Sequence, residues 1–262
     1  MQFADVNGQR QEPQPGLSGE CPVCRDVVIA HCGKKNIWHW HHKGKLHCDS
    51  WKEKEGPWHR NWKSHFPADW REFRFRAEDG EVHVADVRTD QGCVVEFQRS
   101  PIAAIERQSR DAFYKKITWV VDATRLKTNA AQFLKALQSG TPVAGYRNLW
   151  RVRADGCRLL QEWSDSPKPQ PVFFDFGDGT LFWFLAGKPE DPMYVGRCLV
   201  VDFIAAHLGK GPEGSRSFHE LLRRIYESVA ADYARLRPPP VQQTTVQPPV
   251  SPRYFTGRKF RL

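Results

Sequence analysis

The order of local signals predicts a mixed α/β (α+β) chain whose central part is a helix, a three-stranded antiparallel meander, a second helix and a strand. Three observations carry this reading. Trp58, Trp62 and Phe66 recur at helical spacing before Pro67. Three β-rich runs, Trp70–Arg76, Glu81–Thr89 and Cys93–Gln98, are separated by the turn signals Glu78-Asp79-Gly80 and Asp90-Gln91-Gly92. His31, His39, His41, His42, His47, His59 and His65 crowd the same early stretch as Cys21, Cys24, Cys32 and Cys48, which sets a Cys/His element apart.

In chain order, residues 1–19 are polar and rich in Gln, Pro and Gly, and read as a flexible lead-in. Residues 20–50 form a zinc-ribbon-like element with little room for a core of its own. The predicted core spans 51–140. Within it Ser100-Pro101 signals a helix start, with Ser100 as N-cap, running to about Lys116. Ile117–Asp122 is a buried strand by composition, and Leu126–Gln138 a further helix. Residues 141–236 read as an accessory α+β region. It has strand-like runs at Leu149–Arg153, Arg158–Trp163, Val172–Phe176 and Leu181–Leu185, a stretch at 197–208 that fits strand or helix, and helical spacing over Ser217–Arg235. The Pro-rich end, 237–262, reads as a disordered tail.

Composition bounds the function. The 262 residues correspond to about 1.7 domains. A charged fraction of 26% and a hydrophobic fraction of 40% are ordinary globular usage and exclude wholesale disorder. No apolar run approaches the ~18 residues of a membrane span, and the first residues lack the head and core of a secretory signal, so a soluble cytoplasmic protein is expected. The net charge of +9 leans toward a polyanionic partner, because cationic patches that neutralise phosphates gain from counterion release.

Seven cysteines without an export signal argue against a disulfide framework. Cys21-Pro-Val-Cys24 has the spacing that presents two thiolates to one tetrahedral Zn²⁺. Downstream, His39-Trp-His-His42 supplies imidazoles and Cys48 a third thiolate. Cys21, Cys24, His39 and either His42 or Cys48 would close a structural zinc site. His41, Cys32 and His47 are weaker candidates.

Asp86 lies in the strand run His83-Val-Ala-Asp-Val-Arg, and Glu96 follows across a turn in Val94-Val-Glu-Phe-Gln98. In paired antiparallel strands the two acids can meet at one end of the hairpin, and period two puts Glu96 and Gln98 on one face. Converging carboxylates, with the carbonyl between them, make an oxygen-rich site for Mg²⁺ or Mn²⁺. Such an ion polarises a phosphodiester and activates a bound water. A Glu in an otherwise apolar run is expensive to bury unless paired or metal-bound.

Asp86 followed by Glu96-Phe-Gln98, in a helix, three strands, helix, strand context, resembles the PD-(D/E)xK nuclease superfamily in a Glu-x-Gln variant. The wider series is similar to the competence protein CoiA-like family. It comprises Cys21-Pro-Val-Cys24, His39-Trp-His-His42-Lys43, Glu55-x3-His59-x3-Lys63, His83-Val-Ala-Asp86-Val, Glu96-Phe-Gln98-Arg-Ser100, Arg110-x3-Tyr114 and Trp119-Val-Val-Asp122, and it covers residues 20–125. The resemblance implies that Asp86 and Glu96 bind a catalytic divalent ion, with the Phe97 carbonyl as a further ligand. It implies that Gln98, standing where most of the superfamily has Lys, orients water or phosphate, and that Glu55 is the helical acid of the site. His59 and Lys63, on the same helix face as Glu55, and Arg110 and Tyr114 would then contact DNA. The family proline before the first acid is Ala85 here.

Trp38, Trp40, Trp51, Trp58 and Trp62 are interleaved with Lys34, Lys35, Lys43, Lys45, Lys52, Lys54, Arg60 and Lys63, a pattern that serves either base stacking or packing of the zinc element onto the first helix. The expectation is a metal-dependent deoxyribonuclease acting in competence, recombination or defence. The alternatives are a non-catalytic zinc-containing DNA-binding protein on the same fold, and an interaction protein recruiting a recombination or defence partner through the Pro-rich tail.

Overall fold

A computed structural model describes residues 1–44, 48–51, 55–78, 80–164, 170–186, 192–213 and 215–236. The tail expected over 237–262 lies outside the described residues, as do His47, Lys45, Lys52 and Lys54. The chain is mixed α+β, with two sheets and, among the described residues, six helices. No described helix is long and apolar enough to cross a membrane.

The N-terminal sheet has five strands in the order β2-β1-β3-β4-β5: β1 (Ala4–Val6), β2 (Gln9–Gln11), β3 (Ser18–Glu20), β4 (Val27–His31) and β5 (His39–His42). The first nineteen residues are thus folded, which corrects the flexible lead-in. The reason is local. Asn7 and Gly8 take φ of 53° and 78°, the two positive angles of a tight hairpin turn, and they join β1 to β2. A small core of Met1, Ala4, Val6, Cys21, Val28 and Trp40 sits on one face of this sheet.

Helix α1 (Pro57–Ser64) leads into a nine-stranded sheet, order β10-β11-β14-β13-β12-β9-β8-β7-β6. The expected meander is its first edge: β6 (Arg71–Arg76), β7 (Val82–Arg88) and β8 (Val94–Gln98). α2 (Ala104–Tyr114) follows, then β9 (Ile117–Asp122) and α3 (Lys127–Ser139). The N-cap of α2 is Ala103, without a side-chain cap, so Ser100 is not the cap.

The remainder, β10 (Thr141–Pro142), β11 (Leu149–Val152), α4 (Arg158–Ser164), β12 (Val172–Asp175), β13 (Thr180–Leu185), β14 (Met193–Leu199), α5 (Val200–His207) and α6 (Phe218–Leu236), completes the same sheet. A core ending near 140 and a separate accessory region are therefore not distinct units: β12 pairs in parallel with β9 from Trp119 to Asp122. Arg158–Trp163 is helix, not strand, because Leu159, Leu160 and Trp163 share a helical face turned into the core. The ambiguous stretch divides at Leu199, strand before and helix after.

β8, β9 and β12 are buried along their whole length, as expected of parallel strands covered on both faces. Trp119, Phe133, Trp163 and Phe174 fill one side, while Trp62, Phe97, Phe173 and Phe203 fill the other. α1 is fixed on the second side. Trp62 stacks on Phe97 at 5.6 Å, and the indole N–H groups of Trp58 and Trp62 both donate to Asp175, at 2.9 and 2.8 Å. With Trp40 buried and Trp51 stacked on His83 at 3.2 Å, four of the five early tryptophans serve packing. Trp38 remains 47% exposed.

His207, at the end of α5, is fully buried against Phe66, Phe203 and Phe218, and neither ring nitrogen has a hydrogen-bond partner among the described residues. Burial alone depresses its pKa to about 3. The unfolded chain, with an ordinary His near 6.5, binds the proton that the folded one refuses. Stability from this residue is therefore complete above pH 6.5 and declines as pH falls toward 3, by up to roughly 4 kcal/mol. His207→Leu is expected to flatten that acid limb of urea melts run between pH 7 and pH 4. An unchanged limb would assign the acid sensitivity elsewhere.

Candidate metal centre and acidic site

The turn between β3 and β4 is a knuckle. Cys21 N–H donates to Asp26 O at 2.8 Å, Arg25 N–H to Cys21 O at 3.0 Å, and Val23 N–H to Cys21 Sγ at 3.4 Å. This presents Cys21 and Cys24 to the end of β5 and to Cys48. The Cys21 and Cys48 sulfurs are 3.6 Å apart, and His42 Nε2 lies 3.3 Å from Cys24 Sγ and 3.6 Å from Cys48 Sγ. All four ligand atoms fall within 4.8 Å of one another, the one such convergence of three or more ligand side chains among the described residues. A tetrahedron with Zn–S bonds of about 2.3 Å has edges of about 3.8 Å, so the spacing fits zinc, as does the soft Cys3His donor set. The cluster can hold a structural metal such as zinc. Burial and the neighbouring Cys21 push the Cys48 thiol up to about 12, and a divalent cation at the centre would reverse this.

His39 is not in the set, which corrects the first of the expected histidine ligands. Strand alternation is the reason: His42 shares a face with buried Trp40, while His39 and His41 point the other way. There His39 Nδ1 donates to Ile37 O at 2.9 Å, and His31 lies 5.4 Å from His39 and 4.9 Å from His41, ring to ring.

The acidic site lies where the meander comes apart. Arg71 faces Val87 and Phe73 faces Ala85, which sets Glu72 of β6 opposite Asp86 of β7. Val87 faces Val95 and Arg88 faces Val94, so the next pair inward is Asp86 with Glu96. Neither acid pair belongs to the ladder. Glu72 has φ 46°, a left-handed backbone uncommon outside Gly and Asn, and β7 and β8 part beyond Val87 and Val95. Side chains take over the lost backbone bonds: Asp86 N–H donates to Glu96 Oε1 and Phe97 N–H to Asp86 Oδ2, both at 3.0 Å. Three carboxylates from three adjacent strands therefore stand in one row.

α1 covers the row on one side. His59 Nε2 is 2.7 Å from Asp86 Oδ2. Lys63 Nζ, 3% exposed, lies 2.8 Å from Glu55, 3.2 Å from Glu72 and 3.7 Å from Asp86. Glu55 sits just before the helix, ahead of the N-cap Gly56, and also pairs with Arg60 at 2.5 Å. On the other side Arg110 of α2 donates to Glu96 Oε2 at 3.1 Å, to Glu106 at 2.5 Å and to Trp51 O at 2.6 Å.

The electrostatics follow from this packing. Burial would raise Asp86, but His59, Lys63 and the Phe97 N–H hold it at about 2. Burial and then the Asp86 charge push Glu96 up to about 8, against Arg110. Burial alone would lower Lys63; Glu72, Asp86 and Glu55 outweigh it and keep the ammonium charged. Burial also works against Glu55, yet Lys63 and Arg60 hold it below the usual carboxylate range. The two neighbouring carboxylates are thus pushed apart, Asp86 down and Glu96 up, with His59 and Lys63 facing the first and Arg110 the second.

The structure thus brings Glu55, His59, Lys63, Asp86 and Glu96 together. It places others differently from expectation. His59 and Lys63 are buried against carboxylates and so are not surface contacts for a phosphate backbone. Arg110 is buried on Glu96, and Tyr114 is buried against Phe75, Phe113 and Trp51. Gln98 is buried, its amide nitrogen donating to Ser100 O at 2.8 Å. Two contributors were missed. Glu72 is visible only by counting registers back from the second turn. Asp49, next to Cys48, accepts from the Val84 N–H at 3.0 Å and lies 2.9 Å from His83 Nδ1, tying the metal cluster to β7. No family model, no curated protein and no solved structure matches the chain.

Proposed function

We propose that the chain is a divalent-metal-dependent DNA nuclease of the PD-(D/E)xK kind, similar to CoiA-like competence proteins, with a structural zinc element and a role in DNA processing linked to recombination or defence. The observation that carries this is the fork in the meander, where Asp86 and Glu96 leave the ladder face to face beneath α1. Asp86 and Glu96 would hold Mg²⁺ or Mn²⁺, which when bound polarises the scissile phosphodiester and lowers the pKa of an attacking water. His59 fixes the Asp86 carboxylate through one oxygen, and Arg110 fixes Glu96 through the oxygen that does not bind the Asp86 N–H. Gln98 brings no charge, and the fixed cation beside Asp86 is instead Lys63. The basic net charge supports a polyanionic substrate.

The second reading, a non-catalytic zinc-containing DNA-binding protein, draws on Gln98 in place of a lysine and on the internal cations that already face both carboxylates. Purified protein is incubated with linear, supercoiled and single-stranded DNA in Mg²⁺, Mn²⁺ or EDTA, beside Asp86→Ala and Glu96→Ala. Metal-dependent cleavage that falls ~10²–10³-fold in both variants is expected, the scale of losing a principal stabilising group. DNA binding without cleavage in any metal would establish the second reading.

A further inference from the structure

Past the carboxyl end of β8 lies a cavity of about 260 Å³ that the acidic site does not use. It opens between the ends of the parallel strands β8 and β9, under the first residues of α2 and beside α3 and α4. Its size is near the low end of small-ligand pockets, roughly 300–1,000 Å³.

The lining has four kinds of chemistry, one of them the carboxylates of Asp122 and Glu162, which are paired with Arg99 and Arg158. Val121, Leu159 and Trp163 give an apolar wall and are themselves buried. Gln98, Asn129 and Gln161 bring carboxamides, each able to donate and accept. Asn129 is 3% exposed and is held by its amide nitrogen on Ala123 O at 3.1 Å. Arg99 and Arg125 supply guanidinium groups. Arg99 is fixed by buried Asp122 at 2.6 Å, whose other oxygen accepts from Thr124 N–H and Oγ1 at 2.9 and 2.6 Å. A flat apolar surface, carboxamide edges and a nearby cation match a nucleobase carrying a phosphate, since carboxamides pair with base edges and guanidinium groups with phosphate.

Position agrees with chemistry. Gln98 is two residues beyond Glu96 on the same side of β8, a displacement of about 7 Å. We infer that this cavity receives the base of an unpaired nucleotide next to the one held at Asp86 and Glu96, so that the substrate is single-stranded or carries an unpaired nucleotide at the cleavage point. The placement beside a scissile linkage rests on the nuclease reading; the cavity's taste for a nucleotide does not.

The test is therefore binding, without cleavage. The full-length zinc-loaded protein, with no added Mg²⁺ or Mn²⁺, is titrated by ligand-observed NMR with the four deoxynucleoside 5′-monophosphates, inorganic phosphate and deoxyribose 5-phosphate. At least one nucleotide is expected to bind at millimolar concentration, with phosphate and sugar phosphate weaker by about tenfold. Arg125→Ala and Gln161→Ala should each weaken it about fivefold, the loss of one polar contact. Ala104→Leu, a helix-compatible change at the cavity mouth, should abolish it while the circular dichroism spectrum and melting temperature stay as in the parent. Absence of nucleotide binding, equal binding of inorganic phosphate, or undiminished binding by Ala104→Leu would each overturn the inference. Nucleotide binding by a protein that cuts no DNA would leave the cavity assignment standing and remove the nuclease reading.

Discussion

Stripping the metal from the Cys3His cluster is expected to loosen the fold well beyond the N-terminal sheet. Structural zinc in small elements contributes about 10–16 kcal/mol, and the core of Met1, Ala4, Val6, Val28 and Trp40 is too small to replace that. Cys48 is the ligand nearest in sequence to the acidic site. One residue on, Asp49 accepts the Val84 N–H of β7; three residues on, the Trp51 carbonyl accepts Arg110, which holds Glu96. Metal loss that frees Cys48 therefore frees two anchors of the fork. Hydrogen–deuterium exchange followed by mass spectrometry reads this directly. Chelation, or Cys48→Ser, should raise exchange in residues 82–88 as well as in 18–31. The protein as purified should hold one zinc, by elemental analysis. Unchanged protection of 82–88 after verified metal loss would show that the two sites are mechanically independent.

The second large effect concerns Lys63. Its ammonium is buried among Glu55, Glu72 and Asp86, with Gln2 and Phe3 N–H groups completing Glu72 at 2.8 and 3.1 Å. Lys63→Met keeps the length of the side chain and removes the charge, leaving three carboxylates facing one another without it. Breaking a buried pair from one side costs about 3–5 kcal/mol. Denaturant melts at pH 7 should show a loss of that order, and part of it should return near pH 4, where protonation relieves the repulsion. The combination Lys63→Met with Glu72→Gln should recover part of the loss at pH 7, because it removes one of the orphaned charges. A loss below ~1 kcal/mol in the single variant would mean that Arg60 and His59 suffice to balance the row.

The meander was legible because its two turns and β-rich runs agree with each other, and because a Glu amid Val-Val and Phe requires explanation. The choice of His42 over His39 was also within reach once His39–His42 is taken as a strand, since alternation then groups His42 with Trp40. Other features needed three dimensions. The lead-in reads as flexible because its strands are three residues long and mostly polar; only the Asn7-Gly8 turn betrays the hairpin. Lys63, Arg110 and Tyr114 fit a DNA surface in sequence because charge and aromaticity are ambiguous there. A cation on a helix serves a buried carboxylate as well as a phosphate, and the two differ only in which way the helix faces. The segment of α4 reads as a strand in sequence because two adjacent leucines and a tryptophan fit either period over so short a span.

The parallel pairing of β9 with β12 has a consequence for how the chain can be divided. The strand beside the site, β9, takes its outer neighbour from some fifty residues downstream, so the edge meander that carries the fork is backed by a sheet completed late in the chain. A piece ending near residue 140 would leave Ile117–Asp122, apolar on both faces, as a bare edge, the kind of surface that templates strand addition by other copies. The parallel contacts also lie far apart in sequence and should form slowly. The helix over the fork is thus anchored in part by a strand that contributes none of the acids, since Asp175 of β12 accepts both indole N–H groups of α1, and a chain cut near 140 loses that anchor.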